Sequence, residues 1–276
     1  MKVKIKELKI AKKAAWAAGK IIRQHYEKDF AIRHKGSINL VTEVDLKAQD
    51  KIEKIIRKAF PKDYILGEEG PQTKRIRATR RWIVDPLDGT TNFAHGYPHF
   101  CVSIAFEKNR KLEVGVIYDP MRDETFWAVR GKGAYCDERR IHTSSTDQLR
   151  SALLVTGFPY NLYRPETNNL ILFNHMIFKA QAIRRDGTAA LDLAYVACGR
   201  FDGFWELGLC AWDVAAGILI ITEAGGQCID LQPRNRHELL PSALIAGNPH
   251  IAESLHEEIK KIWSFQSTPK RKKSKK

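Results

Sequence analysis

The chain has 276 residues, 43% of them hydrophobic and 28% charged, which suits a folded protein with ample core and excludes a disordered one. Its first residues, Met1 to Leu8, carry charge throughout with no apolar signal segment, and the most apolar run, Val214 to Ile221, is too short to span a bilayer. The expectation is a cytoplasmic protein with no membrane segment.

The net charge of +14 is uneven: six of the last seven residues are basic, from Lys270 to Lys276, and without them the chain still carries +8. Such a tail has the composition of a disordered segment. It is read either as a solvated tail or as a binding site for RNA or another polyanion, without aromatic residues to stack on bases. Cys101, Cys136, Cys198, Cys210 and Cys228 are odd in number and form no Cys-x-x-Cys pair, so they are expected as buried, reduced thiols.

In chain order, residues 5–28 predict an amphipathic helix, with Ile5, Leu8, Ala11, Ala15, Ala18 and Ile22 on one stripe. Asn39 to Val41 reads as extended. Thr42 and Asp45 form a capping-box pattern that opens a helix through Ile52, Ile55, Ile56 and Phe60, stopped by Pro61. Tyr64 to Leu66 is a short strand that ends in Gly67-Glu68-Glu69-Gly70, and the basic segment 71–81 reads as a surface loop. Trp82 to Val84 is a buried strand. Val102 to Phe106 and Leu112 to Tyr118 flank a charged turn as a hairpin, and Thr125 to Val129 is a further strand. Gly131-Lys132-Gly133 lacks the third glycine and the helix of a dinucleotide fingerprint.

The remaining chain alternates. Strands are expected at Leu153–Thr156, at Phe204–Glu206, at Gln227–Asp230 and at Ala243–Ala246, with Ala182–Arg184 leading into Asp186-Gly187-Thr188-Ala189. Helices are expected around Leu170–Phe178, at Ala189–Cys198, from Asp213 to Ala224, and at His250–Ile262, with Gly225-Gly226 ending the third. The division expected is an α+β half at 1–145, an α/β half at 146–265, and the tail at 266–276.

The stretch from Asp85 to Phe93 carries the chemistry. Two carboxylates three residues apart, Asp85 and Asp88, follow a buried strand, and Gly89-Thr90-Thr91 follows at a helix start. Carboxylates suit hard cations such as Mg²⁺, and N–H groups after Gly89 suit a phosphate. Asp45, Glu68, Glu69 and Asp213 also sit where segments turn. Each alone has an ordinary explanation as a cap or turn residue, and spacing does not show whether they converge. His95 and His99 read as loop or packing residues.

Gly67-Glu68-Glu69, Trp82 to Phe93 (Trp-Ile-Val-Asp-Pro-Leu-Asp-Gly-Thr-Thr-Asn-Phe) and Trp212 to Gly217 (Trp-Asp-Val-Ala-Ala-Gly) resemble, in order and separation, the three signature motifs of the inositol monophosphatase family. Leu40 to Asp45 resembles the segment that precedes the first motif, and the likeness runs over roughly residues 5–262, closest to bacterial and archaeal members. The resemblance implies an α+β fold, a layered αβαβα sandwich of the inositol monophosphatase and fructose-1,6-bisphosphatase type. It also implies Mg²⁺-dependent, lithium-sensitive hydrolysis of a phosphate monoester by a homodimer, with two or three Mg²⁺ per site.

Carried onto this chain, the metal positions are Glu68, Asp85, the carbonyl of Leu87, Asp88 and Asp213. Leu87 replaces an isoleucine common in the family, which leaves the backbone ligand intact. Thr90 and Asp45 match the pair that orients and deprotonates the attacking water, with Glu68 assisting. Gly89 and Thr90 match N–H donors to phosphate. Arg184, Gly187, Thr188, Ala189 and Glu206 match positions that line the substrate pocket, together with Glu68, Leu87, Asp88 and Asp213, while Asp192 reads as a helix-surface or packing residue.

Inositol 1-phosphate fits the pattern best. Fructose 1,6-bisphosphate, histidinol phosphate and adenosine 3′,5′-bisphosphate are alternatives served by the same scaffold. An RNA- or transcription-machinery-binding regulator that uses the basic tail is the competing class.

Overall fold

The computed structural model describes residues 3–28, 32–34, 40–69, 78–159, 169–231, 240 and 242–262. The basic tail, the loop at 71–77, Asn39 and Gly70 lie outside the described residues.

Helix α1 (Val3–His25) buries Ala11, Ala15, Ala18 and Ile22 of the expected stripe, together with Ala14, while Leu8 is half-buried and the Ile5 side chain lies outside the described residues. Strands β1 (Ile32–His34) and β2 (Leu40–Thr42) pair antiparallel ahead of α2 (Glu43–Ala59). The capping box that opens α2 forms as read: Thr42 Oγ1 accepts from the Asp45 N–H, and the Asp45 carboxylate accepts from the Thr42 N–H at 2.9 Å. Phe60 caps the other end, just before Pro61.

A seven-stranded sheet follows, in the order β3 (Tyr64–Gly67), β4 (Arg80–Asp88), β5 (Cys101–Lys108), β6 (Lys111–Asp119), β7 (Glu124–Val129), β8 (Ala134–Cys136) and β9 (Arg139–Ile141). Only β3 runs parallel to its neighbour. Asn109 and Arg110 take φ of 50° and 63°, the conformation of a tight two-residue hairpin turn between β5 and β6. Short helix α3 (Thr90–Ala94) sits between β4 and β5.

The second sheet has the order β11 (Ala182–Arg184), β10 (Leu153–Thr156), β12 (Gly203–Leu207), β14 (Ala243–Gly247) and β13 (Gln227–Asp230). Its helices are α4 (Leu170–Met176), α5 (Ala189–Ala197), α6 (Ala211–Glu223) and α7 (Pro249–Ile262).

Strand alternation sorts these elements into five layers. Trp82, Val84, Val102, Ile104 and Val116 face α1 and α2. Ile83, Ala105 and Ile117 point the other way, into a core with α5, α6 and Val155, Phe204, Leu244 and Ala246 of the second sheet. The alternate residues Leu154, Trp205, Leu207 and Ile245 pack under α4 and α7. This is the expected αβαβα sandwich. The apolar run Val214–Ile221 lies in α6 between the two sheets, and among the described residues no helix is long and apolar enough to cross a membrane.

Several expectations need correction. Arg80 and Arg81 belong to β4 rather than to a surface loop. Arg81 is 1% exposed and bonds Glu107 at 2.5 Å, while Arg80 bonds Asp63 at 2.7 Å and Glu7 at 3.0 Å. Strands β8 and β9 extend the sheet past the expected last strand, which their three-residue length conceals. Asp213 is the third residue of α6 instead of its first, and Cys210 stands at the cap. All five cysteines are free, yet only Cys101 and Cys136 are buried; Cys210 is exposed. Asp192 is 1% exposed, so it is no surface residue.

Candidate active site

β4 runs through the Asp85-Pro86-Leu87-Asp88 stretch, where its register against β5 shifts. Pro86 has no N–H for the ladder, and a bulge at that point re-aims the flanking side chains. Asp85 Oδ1 accepts from the Leu87 N–H at 3.0 Å, which fixes the turn. Asp88 Oδ2 accepts from the Ala190 N–H at 2.7 Å, in the first turn of α5. Asp213 Oδ2 accepts from the Cys210 N–H at 2.7 Å. Asp213 is therefore a capping residue, and it also belongs to the acidic cluster.

Electrostatics show that the cluster converges. Burial pushes the Asp85 carboxyl well above its usual range, and Glu68, Asp88 and Asp213 push it further. Burial does the same to Asp88, helped by Asp213, Asp192 and Glu68 and opposed by the Ala190 N–H. Burial and Glu68 push Asp213 up to about 7 against the Cys210 hydrogen bond. Three chain segments thus bring four like charges together at one place, the ends of β3 and β4 and the start of α6.

Asp45 approaches from α2. Its Oδ1 accepts from Thr90 Oγ1 at 2.9 Å, and its Oδ2 accepts from Thr42 Oγ1. Burial raises the Asp45 pKa, the Thr42 and Thr90 hydrogen bonds restrain the rise, and Glu68 adds to it. The Thr90 hydroxyl also lies 3.1 Å from the Leu87 carbonyl oxygen. The charged acceptor is the stronger of the two.

Gly89 takes φ +95°, and an added Cβ would lie 2.6 Å from Thr188 Oγ1, so this position requires glycine. Thr188 in turn donates to the His99 carbonyl at 3.0 Å, which packs the start of α5 onto the motif loop. Gly187, Thr188 and Ala189 thereby stand beside Gly89 and Asp88. Glu206, at the end of β12, is pushed well up by burial and by Asp192 and Asp213, while Arg185 pulls it down. Arg184 is exposed, and its guanidinium donates to the Ile183 carbonyl at 3.3 Å. Of the two arginines it is Arg185 that acts on Glu206.

Three contributors are invisible in the sequence. Gln49 of α2 clamps the turn after β3, accepting from the Glu69 N–H at 2.9 Å and donating to the Glu69 carbonyl. Asn92 Nδ2 donates to the carbonyls of His99 at 2.8 Å and Asp186 at 2.7 Å, which ties the two loops together. Gly157 leaves room for Glu206, whose carboxylate would meet an added Cβ at 2.2 Å.

An oxygen-only donor set with surplus buried negative charge is what a hard divalent cation stabilises. The residues present fit Mg²⁺ on that ground: Glu68, Asp88 and Asp213 add to burial in opposing the charge on Asp85, and a divalent cation would offset that repulsion.

Comparison with known proteins gives the family and the fold. A profile described as the inositol monophosphatase family matches residues 5–264. The chain belongs to the inositol monophosphatase family. It is 40% identical to "Inositol-1-monophosphatase" of Rhizobium meliloti, covering 92% of this chain and 96% of that protein. It is 44% identical to "Nus factor SuhB" of Pseudomonas aeruginosa, over 90% and 93% of the two chains.

Among solved structures, it superposes on the extragenic suppressor protein suhB of Bartonella henselae with a TM-score of 0.86 at 41% identity, covering 93% of this chain and 99% of that one. It superposes on the inositol monophosphatase of Anabaena with a TM-score of 0.82 at 40% identity, covering 94% and 96%. Family membership supports a phosphatase, in a family that depends on Mg²⁺.

Proposed function

We propose that this chain hydrolyses a small phosphate monoester, inositol 1-phosphate first, with Mg²⁺ held by Glu68, Asp85, Asp88, Asp213 and the Leu87 carbonyl. The observation that carries the reading is the convergence of these carboxylates beside the Thr90–Asp45 pair. When bound, Mg²⁺ supplies positive charge against the phosphoryl oxygens and makes water more acidic.

The chain's own residues do the rest. Asp45 Oδ1 holds the Thr90 hydroxyl proton, so the lone pairs of Thr90 Oγ1 are left to accept from an attacking water. As the water gives its proton to Thr90 Oγ1, the Thr90 proton passes to Asp45, whose raised pKa favours holding it. The N–H groups of Gly89 and Thr90 orient phosphate oxygens. Glu206 accepts from substrate hydroxyls, beside Gly187, Thr188 and Ala189, with Arg184 at the rim of the pocket. The halves 1–145 and 146–265 both contribute, the second through Asp213 and Glu206.

Phosphate release from inositol 1-phosphate, fructose 1,6-bisphosphate, histidinol phosphate and adenosine 3′,5′-bisphosphate, each with an EDTA control, tests this. Preference for inositol 1-phosphate, abolished by EDTA and by Asp85→Asn, is the expected result. No release from any of them by folded, Mg²⁺-loaded protein refutes it. Lithium inhibition and a homodimer are part of the same reading, checked by inhibition assay and light scattering.

A second reading has its own motivation: the Pseudomonas relative is named a Nus factor, and this chain ends in a basic run. We propose RNA or a transcription-machinery component as a second partner for the tail. The expected result is RNA binding that weakens steeply with salt and disappears on deletion of residues 270–276. Binding that survives the deletion removes this reading.

A further inference from the structure

We propose a second cation site, formed by His99, Asp186 and Asp192, that takes a borderline transition-metal ion such as Zn²⁺. Among the described residues these three side chains each offer one ligand atom, all within 4.8 Å of one another. They share no residue with the carboxylates assigned to Mg²⁺, though Asp192 is close enough to act on Asp88, and they stand on the loop before β5 and around the start of α5.

Burial without partners is the second observation. Asp192 is 1% exposed, and neither of its carboxylate oxygens finds a hydrogen-bond partner among the described residues. His99 is 4% exposed, and its Nε2 likewise has none. Buried polar atoms are otherwise almost always satisfied, because leaving water without compensation is costly. His99 Nε2 and Asp192 Oδ1 stand 3.7 Å apart, too far for a hydrogen bond. Two donors on one tetrahedral zinc ion stand roughly 3.4 Å apart, so a small local adjustment would seat both.

Arg185 offsets part of the Asp192 charge without hydrogen-bonding its carboxylate, and two other nearby cations are committed elsewhere. Arg200 forms a two-pronged pair with Glu124, and Arg122 bonds Asp119 at 3.3 Å. An entry path exists: His99 and Asp186 line a pocket of about 590 Å³, together with Tyr97, Arg122, Glu124 and Tyr195. An imidazole with two carboxylates suits zinc, manganese or ferrous ions, whereas Mg²⁺ prefers an all-oxygen shell.

Such an ion would pin the 95–100 loop to the first turns of α5. Asn92 and Thr188 already bridge these same two segments through the carbonyls of His99 and Asp186. The ion would therefore act as a positioning device for Gly187, Thr188 and Ala189, and the proposal stands whether or not the phosphatase reading holds.

The test is a calorimetric titration of full-length protein with Zn²⁺ under saturating Mg²⁺, alongside histidine ring ¹H–¹⁵N spectra. Wild type and Asp85→Asn are expected to bind one Zn²⁺ at this site, with the His99 ring nitrogens shifted. Asp192→Asn and His99→Gln should each lose at least tenfold in affinity. Unchanged affinity in both variants, or loss in Asp85→Asn alone, overturns the site. Asp192→Asn keeps the side-chain shape. Should either variant fail to fold, the wild-type His99 ring signal decides, and its indifference to Zn²⁺ overturns the proposal.

Discussion

Replacing Asp213 by Asn in metal-stripped protein isolates the effect of one clustered carboxylate on stability. In the folded chain this group is pushed from 3.8 up to about 7, chiefly by burial, with Glu68 adding to the rise. The folded pKa lies above the unfolded one, so the folded state holds a proton that the unfolded state releases. Stability from this source is complete below about pH 3.8 and is lost as pH rises through about 7.

At about 1.4 kcal/mol per pH unit the full loss is about 4.5 kcal/mol. Asp213 keeps some solvent contact, which screens the effect, so about 2 kcal/mol is expected. For a chain of this size that corresponds to roughly 4–8 °C in Tm. His99 acts with the opposite sign, since burial lowers its pKa and stability is lost as pH falls through it. It is common to both proteins and cancels in the comparison.

The assay is thermal unfolding in EDTA at about pH 5 and about pH 8. Wild type should lose roughly 4–8 °C more than Asp213→Asn over that interval, and Mg²⁺ should restore it at the higher pH. Equal pH dependence in the two proteins refutes the reasoning.

Three further outcomes follow from individual contacts. Thr90→Val removes the hydroxyl held by Asp45 and should lower kcat by about 10²-fold with little change in KM, measured by steady-state phosphate release; an unchanged kcat counts against the relay. Gly157→Ala drives a Cβ into the Glu206 carboxylate and should raise KM for a polyol phosphate while kcat largely survives, whereas an unchanged KM removes Glu206 from substrate contact. Asp63→Ala leaves Arg80 and the Trp82 indole N–H without their shared acceptor, at an expected cost of about 2–3 kcal/mol by urea unfolding. A change below about 0.5 kcal/mol would show that the pair contributes nothing.

Local chemistry was legible from the chain alone. The Thr42–Asp45 box forms because its partners are three residues apart, and the hairpin at Asn109-Arg110 is set by the residues flanking its turn. The apolar run from Trp82 to Val84 marked a buried strand, and the structure shows its two faces serving two cores. Arg80 and Arg81 misled because charge reads as surface. Their acceptors, Glu7, Asp63 and Glu107, are 17 to 73 residues away, so nothing local announces that the charges are neutralised.

The candidate site divides the same way. The residue types and order of Glu68, Asp85, Asp88, Thr90 and Asp213 carry the family likeness, since side-chain chemistry is written one residue at a time. Convergence is a property of packing. Asp45 meets Thr90 across 45 residues and Asp88 meets Ala190 across 102, contacts that exist only once α2 and α5 lie against the sheet ends. Asp192 shows the limit most clearly: in the sequence it is a helix carboxylate with an open choice of face, and only the closing of α5 between two sheets removes it from water and sets it beside His99. The chain by itself determined which groups are available and which elements carry them. The tertiary structure decided which of them share a site, because burial and proximity arise from distant segments and no periodicity records them.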